Sequence, residues 1–67
     1  MINLSVNNEK QAFSVELSVE QLLVQLNIAV EKHAVAVNGE FVPRSTYSEH
    51  LLVDGDKVDI LTAVQGG

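Results

Sequence analysis

The chain has 67 residues, and nine acidic against four basic residues give it a formal net charge of −5. That length allows one domain, and a hydrophobic share of 46% is typical of a globular protein rather than a disordered one. The sequence has no cysteine, which excludes disulfides, thiolate zinc sites and a cysteine nucleophile and fits a cytoplasmic location. The acidic surface would repel a phosphate backbone, and no apolar run reaches transmembrane length, so we expect neither a nucleic-acid nor a membrane partner.

Two alternating segments begin the chain. Residues 2–6 alternate apolar and polar side chains, as a half-buried strand does. Residues 12–17 alternate again, with Phe13, Val15 and Leu17 on one face. The polar residues between the two segments are typical of a turn, so this part of the chain predicts a β-hairpin.

A helix is predicted at about residues 18–27. Ser18 is a suitable N-cap, and Gln21 follows three residues later, as a capping box requires. Asn27 tolerates the left-handed conformation that commonly ends a helix. One stripe of the helix would face the core through Val19, Leu22, Leu23 and Leu26.

The second half of the chain predicts further strands. Asn38-Gly39 is the strongest hairpin signal in the sequence, and Pro43 ends the short strand that follows it. Ser45 or Thr46 is expected to cap a single helical turn. Asp54-Gly55-Asp56 predicts a turn before the last strand, at residues 57–64. We therefore predict an α+β fold in which a mixed sheet of four or five strands packs on one helix.

No residue pattern points to catalysis or to a metal site. His33 and His50 lack the partners that a metal site would supply. The other candidates are hydroxyl and carboxylate side chains in or near predicted turns: Ser45, Thr46, Ser48, Asp54, Asp56 and Asp59. The serines have no nucleophile-elbow context, and the aspartates lack the remaining ligands of an EF-hand loop. We expect a protein that is not itself an enzyme.

Strand alternation predicts a small apolar surface beside the C-terminus. If Val58, Ile60 and Val64 face the helix, the side chains between them face the opposite side of the sheet. The same argument applies to the strand that contains Val35 and Val37. The candidate docking patch on this open face comprises Ala34, Ala36, Leu61 and Ala63.

The order of these elements and four sequence features resemble the ThiS-type sulfur carriers of thiazole (thiamin) biosynthesis, a ubiquitin-like β-grasp family. The features are the Asn38-Gly39 turn, PRSTYSEH, LLVDGDKVDI and the terminal Gly66-Gly67. The resemblance covers essentially the whole chain and is most specific from residue 37 to residue 67. Family members often have tryptophan where this sequence has Tyr47, so the position stays aromatic.

The resemblance implies a β-grasp domain at residues 1–64 and a flexible tail at 65–67. It implies that an E1-like, ThiF-type adenylyltransferase activates the Gly67 carboxylate with ATP and magnesium. A persulfide donor then supplies sulfur, and the resulting thiocarboxylate serves a ThiG-type thiazole synthase. Gly66, Gln65 and Val64 would guide the tail into the partner's active site, and the carrier itself, expected to be monomeric when free, would bind no cofactor or metal.

Three alternatives are compatible with the diglycine. The small subunit of molybdopterin synthase has the same fold, but it is usually longer and tends to have a Phe-Pro-Pro run where this chain has residues 60–63 without proline. A ubiquitin-like modifier would use the same activated glycine to attach itself to lysines. A plain interaction domain would show no ATP-dependent chemistry.

Overall fold

The computed structural model describes residues 1–62, which form a five-stranded sheet and one α-helix. The elements are β1 Ile2–Val6, β2 Glu9–Phe13, α1 Val19–Gln25, β3 His33–Val37, β4 Glu40–Val42 and β5 Lys57–Thr62, with short 3₁₀ turns at Val30–Lys32 and Arg44–Thr46. The strands lie in the order β2-β1-β5-β3-β4. Only the β1–β5 pair is parallel. The predicted mixed sheet with a single helix is confirmed.

The first hairpin differs from its prediction. Asn7 and Asn8 have φ values of 50° and 69°, so they form a two-residue turn and β2 begins at Glu9. The predicted strand at 12–17 is therefore wrong, because a tighter turn brings the chain back along β1 three residues earlier. Val15, expected on the same strand face as Phe13 and Leu17, lies beyond β2 and is 60% exposed.

The start of α1 agrees closely with its prediction. The Gln21 backbone N–H donates to Ser18 Oγ (3.1 Å), and the Ser18 N–H donates to Gln21 Oε1 (2.9 Å), which completes the capping box. Asn27 follows the helix with a φ of 62°, the left-handed conformation expected of a helix stop. The helix is two turns long, with Ser18 as its N-cap and Leu26 as its C-cap.

The segment between β4 and β5 holds the N-terminal end of α1. The Val19 N–H donates to the His50 carbonyl (2.9 Å), and the Glu20 N–H donates to the Tyr47 carbonyl (3.1 Å). These bonds satisfy backbone donors that a helix cannot pair within itself. Neither Ser45 nor Thr46 caps the 3₁₀ turn, because Pro43 occupies the cap position without a side-chain bond. The Thr46 hydroxyl instead donates back to the Pro43 carbonyl (2.9 Å).

The core lies between one face of the sheet and α1. Its buried hydrophobic residues are Ile2, Leu4, Val6, Leu17, Val19, Leu22, Leu23, Val35, Val37, Val42, Tyr47, Leu52, Val58 and Ile60. Leu26 of the predicted helical stripe is only partly buried against this cluster. In residues 1–62, no helix has both the length and the hydropathy needed to cross a membrane.

Candidate functional site

The face of the sheet turned away from α1 carries the described part of the predicted docking patch. In β3 and β5, Val35, Val58 and Ile60 are buried in the core. The alternate residues Ala34 and Leu61 face the other side, where they are direct cross-strand partners. Leu61 is 60% exposed. Apolar side chains of adjacent strands are thus brought together on the open face.

Phe41 extends this surface, although the sequence analysis did not single it out. It lies on β4 opposite Ala36 of β3, and 69% of it is exposed. The signal was present in the sequence, because the Asn38-Gly39 turn fixes the hairpin register and places Phe41 on the face opposite the buried Val42. We call Ala34, Ala36, Phe41 and Leu61 the open-face cluster.

The remaining predicted site residues lie outside the described part of the chain. They are Ala63, Val64, Gln65, Gly66 and Gly67. The tail, its flexibility and the domain boundary between residues 64 and 65 therefore stay predictions. The structure places the chain just before them, since β5 ends at Thr62, paired with His33 of β3.

The β1 side of β5 is held by Asn7, a residue that the sequence analysis assigned only to a turn. The Asn7 N–H donates to the Val58 carbonyl (2.9 Å), and the Ile60 N–H donates to Asn7 Oδ1 (2.7 Å). Asn7 thus binds two successive peptide groups on one side of β5, at Val58 and Ile60, close to the end of the strand at Thr62.

The predicted turn aspartates have structural partners. Asp54 Oδ1 accepts hydrogen bonds from both the backbone N–H and the side-chain amide of Asn3. Asp56 is buried, and its two oxygens accept from Asn38 Nδ2 and the Val53 N–H, both at 2.9 Å. Asp54 thus joins the turn before β5 to β1, and Asp56 joins the same turn to the Asn38-Gly39 turn. In residues 1–62, His, Asp and Glu form no group of three that could hold a metal ion.

A depression of about 440 Å³ lies between β1, β2 and the turn before β5. Its lining residues are Asn3, Leu4, Ser5, Lys10 and Gly55. Lys10 is the only one of these with a titratable side chain, so the depression lacks the acid–base pair on which most hydrolytic and transfer chemistry depends.

Comparison with known proteins agrees with the sequence features. The ThiS family model matches residues 3–67. A thiazole synthase from Paramagnetospirillum magneticum is 39% identical over 66 residues, which are 98% of this chain and 20% of that protein. The sulfur carrier protein ThiS of Escherichia coli is 30% identical over 61 residues, which are 91% of this chain and 92% of that protein. The chain thus spans one fifth of the first relative and nearly all of the second.

Solved structures lead to the same family. The crystal structure of the thiamine biosynthesis protein ThiS from Geobacter metallireducens matches with a TM-score of 0.88 at 33% sequence identity, over 98% of this chain and 100% of that one. A solution structure of a thiamine biosynthesis protein from the same organism matches with a TM-score of 0.80. Because the family model covers almost every residue and the ThiS structure shares the fold, this chain belongs to the ThiS family.

Proposed function

We propose that this chain carries sulfur as a thiocarboxylate at Gly67, from an adenylating enzyme to a thiazole synthase. Membership of the ThiS family makes the chain a small sulfur carrier of thiamine biosynthesis. The observation that carries the covalent proposal is that the family match continues through Gly67. The proposed activation and delivery steps follow from the chemistry of a carboxylate, and they take place in the cytoplasm, where ATP and persulfide donors are available.

A carboxylate must be activated before sulfur can replace oxygen. An oxygen of the Gly67 carboxylate attacks the α-phosphorus of ATP, pyrophosphate leaves with magnesium, and an acyl adenylate forms. The terminal sulfur of a persulfide then attacks the carbonyl carbon, and AMP departs with the carboxylate oxygen. A thiol finally cleaves the acyl disulfide, which leaves the thiocarboxylate on Gly67 and a disulfide on the donor side.

The two glycines suit this chemistry. Without a Cβ atom, Gly66 and Gly67 can pass through a narrow channel, and the reacting carbonyl can be approached from either side. The chain has no cysteine, so sulfur transferred to it would be carried at its end rather than on a side-chain thiol. Thiazole synthase is the proposed acceptor, and a relative with that name contains a segment similar to this chain as one fifth of its length.

The open-face cluster is the proposed docking surface for both enzymes. Its apolar side chains lie on β3, β4 and β5, and β5 is the last strand before the tail in the sequence. Phe41 and Leu61 are both more than half exposed, and an exposed aromatic side chain is a common anchor of protein interfaces. An enzyme that binds this face would therefore contact the carrier at the strand that precedes the tail in sequence. The carrier itself is proposed to be monomeric between encounters.

Intact mass spectrometry tests the proposal. The protein is incubated with ATP, magnesium, a persulfide source and the ThiF-type enzyme of the same organism. We expect a mass gain equal to the exchange of one oxygen for sulfur, and no gain for a chain that lacks Gly67. An unchanged mass, with an enzyme proven active on another carrier, would contradict the proposal. A ladder of conjugates on other proteins would favour the modifier alternative instead.

Gly67→Ala tests the steric argument. The added methyl group lies beside the reacting carbon, so we expect ATP–pyrophosphate exchange to slow by at least about tenfold, as for other small misplacements in an active site. The thermal unfolding midpoint should stay at the wild-type value. Val24→Ala is the control, because Val24 is exposed on α1, on the side of the sheet opposite the open-face cluster. Adenylation of Gly67→Ala at the wild-type rate would contradict the argument.

A further inference from the structure

Hydrogen bonds between β1 and β5 follow a regular parallel pattern that stops at the first turn. The Ser5 N–H donates to the Asp56 carbonyl (3.0 Å), and the Asn7 N–H donates to the Val58 carbonyl (2.9 Å). In a parallel pair the strands exchange such bonds every two residues. The next donor on β5 is therefore the Ile60 N–H, and Asn7 is the residue that should accept from it.

Asn7 accepts this bond with its side chain. The pairing of β1 with β5 ends at Val6 and Val58, and Asn7 already has the left-handed φ of 50° that begins the turn. The Ile60 N–H, in partly buried surroundings, donates to Asn7 Oδ1 at 2.7 Å. The side chain thus continues the ladder by one hydrogen bond beyond the last paired residue of β1.

This bond determines how β5 is held where the chain approaches its reactive end. On one side, β3 pairs with β5 as far as Thr62. On the other side, Asn7 supplies the support at Ile60 after β1 has turned away. Without Oδ1, the last residues of β5 would be held from one side, and a partly buried N–H group would lose its acceptor.

We propose that Asn7 is a positioning residue for the carrier reaction: through Ile60 it fixes the direction in which β5 delivers the tail to the adenylating enzyme. The inference rests on the proposed function. The enzyme must bind the open-face cluster and the tail at the same time. It can therefore bind only those carrier molecules in which the end of β5 points in the required direction. If only a fraction of carriers has this direction, the apparent affinity is the intrinsic affinity multiplied by that fraction. The chemical step at Gly67 is unaffected once the tail is bound.

Three variants separate this role from the turn itself. Asn7→Gly keeps the left-handed backbone without strain and removes Oδ1. Asn7→Asp keeps an acceptor oxygen in the same place and also tolerates the left-handed conformation. Asn8→Gly is the matched control, because Asn8 has a φ of 69° in the same turn but lies one residue further from β1.

Two measurements apply to each variant. Amide hydrogen exchange in the free protein reports the Ile60 N–H directly, and ATP–pyrophosphate exchange gives KM and kcat for the carrier. For Asn7→Gly we expect Ile60 exchange to accelerate and KM to rise, each by about three- to tenfold, the range for one net hydrogen bond. The kcat should stay within about twofold of wild type. Asn7→Asp and Asn8→Gly should resemble wild type in both measurements.

A purely structural role must be distinguished, because an unfolded fraction would also raise the apparent KM. Val42→Ala, which removes buried volume from β4, is the destabilised control, and all variants are assayed well below their unfolding midpoints. The inference about Asn7 would be overturned if KM rose in Val42→Ala or in Asn8→Gly. It would also be overturned if KM were unchanged in Asn7→Gly. The proposed function would stand in each case. An unchanged rate of amide hydrogen exchange at the Ile60 N–H in Asn7→Gly would also overturn the inference about Asn7. Failure of the wild-type chain to be adenylated would overturn the proposed function and this inference with it.

Discussion

At the scale of single residues, asparagine follows the ends of β1, α1 and β3. The non-glycine residues with positive φ in residues 1–62 are Asn7, Asn8, Asn27 and Asn38. Asparagine tolerates this conformation better than most residues because its short amide can bond to nearby backbone groups. Asn38 illustrates this, since its Oδ1 accepts from the Lys57 N–H (2.9 Å) while its amide donates to Asp56. One residue thus joins the β3–β4 turn to the start of β5.

Asp56 is the residue on which this junction depends. Replacing it with alanine would leave the Asn38 amide and the Val53 N–H without their acceptor, so we expect Asp56→Ala to lower the free energy of unfolding by about 2–3 kcal/mol. Urea denaturation measures the loss through the transition midpoint at unchanged m value. Asp54→Ala is the control, because Asp54 is exposed, and it should cost about 1 kcal/mol or less. Equal losses in the two variants would contradict the burial argument.

At the scale of elements, α1 is too short to be stable by itself. It has seven residues, whereas isolated helices below about 12–15 residues are marginal in water. Its stability comes from the capping box, from the carbonyls of the loop before β5 and from the burial of Val19, Leu22 and Leu23. The cap therefore contributes to the fold as a whole, since the helix covers the core.

Ser18→Ala tests the contribution of the cap. Loss of the Oγ acceptor leaves the Gln21 N–H unpaired, so we expect a loss of about 1 kcal/mol and a fall in Tm of about 4–8 °C. Circular dichroism melting measures both. Ser45→Ala is the control, because Ser45 is exposed and does not cap the 3₁₀ turn, and its Tm should change little. A Tm of Ser18→Ala equal to wild type would show that the cap is dispensable.

The two faces of the sheet make a second element-scale prediction. Leu61→Asp places a charge in the open-face cluster, and we expect the affinity for the adenylating enzyme to fall by about tenfold or more. Val24→Asp is the matched control: it makes the same charge change at a residue 69% exposed on α1, which packs on the opposite face of the sheet. Isothermal titration calorimetry compares the two. A similar loss in both variants would point to charge alone, and no loss in Leu61→Asp would remove the cluster from the interface.

At the scale of the whole molecule, net charge bears on how the carrier meets its enzymes. A charge of −5 on 67 residues suits a basic groove on the partner, and such complementarity acts mainly on the association rate. We expect the association rate constant to fall steeply as salt is raised, because screening shortens the range of attraction. Stopped-flow mixing measures it. Asp59→Asn, on the open face, should flatten the dependence more than Glu20→Gln on α1, and a flat dependence for the wild-type chain would contradict the argument.

Most of the secondary structure could be predicted from the sequence, because the signals for it are local. The capping box, the Asn-Gly turn and the apolar alternation each depend on residues within a few positions of one another. They correctly predicted α1, the β3–β4 hairpin and the sequence of helices and strands along the chain. The same alternation placed Ala34, Ala36 and Leu61 on one face. The C-terminal end of β2 was predicted wrongly because the alternation of apolar and polar side chains continues past Phe13. Only the pairing with β1 decides where this strand ends.

Features that depend on contacts between distant residues could be found only in the folded sheet. Phe41 and Leu61 become part of one surface only when β4, β3 and β5 lie side by side. Asn7 accepts a hydrogen bond from the Ile60 N–H across 53 positions of sequence. No local pattern could indicate that the side chain of a turn asparagine completes a parallel ladder. The sequence predicted that Gly67 is the reactive end. The folded sheet shows how β5 is held before that end, because hydrogen bonds and burial between remote strands exist only after the chain has folded.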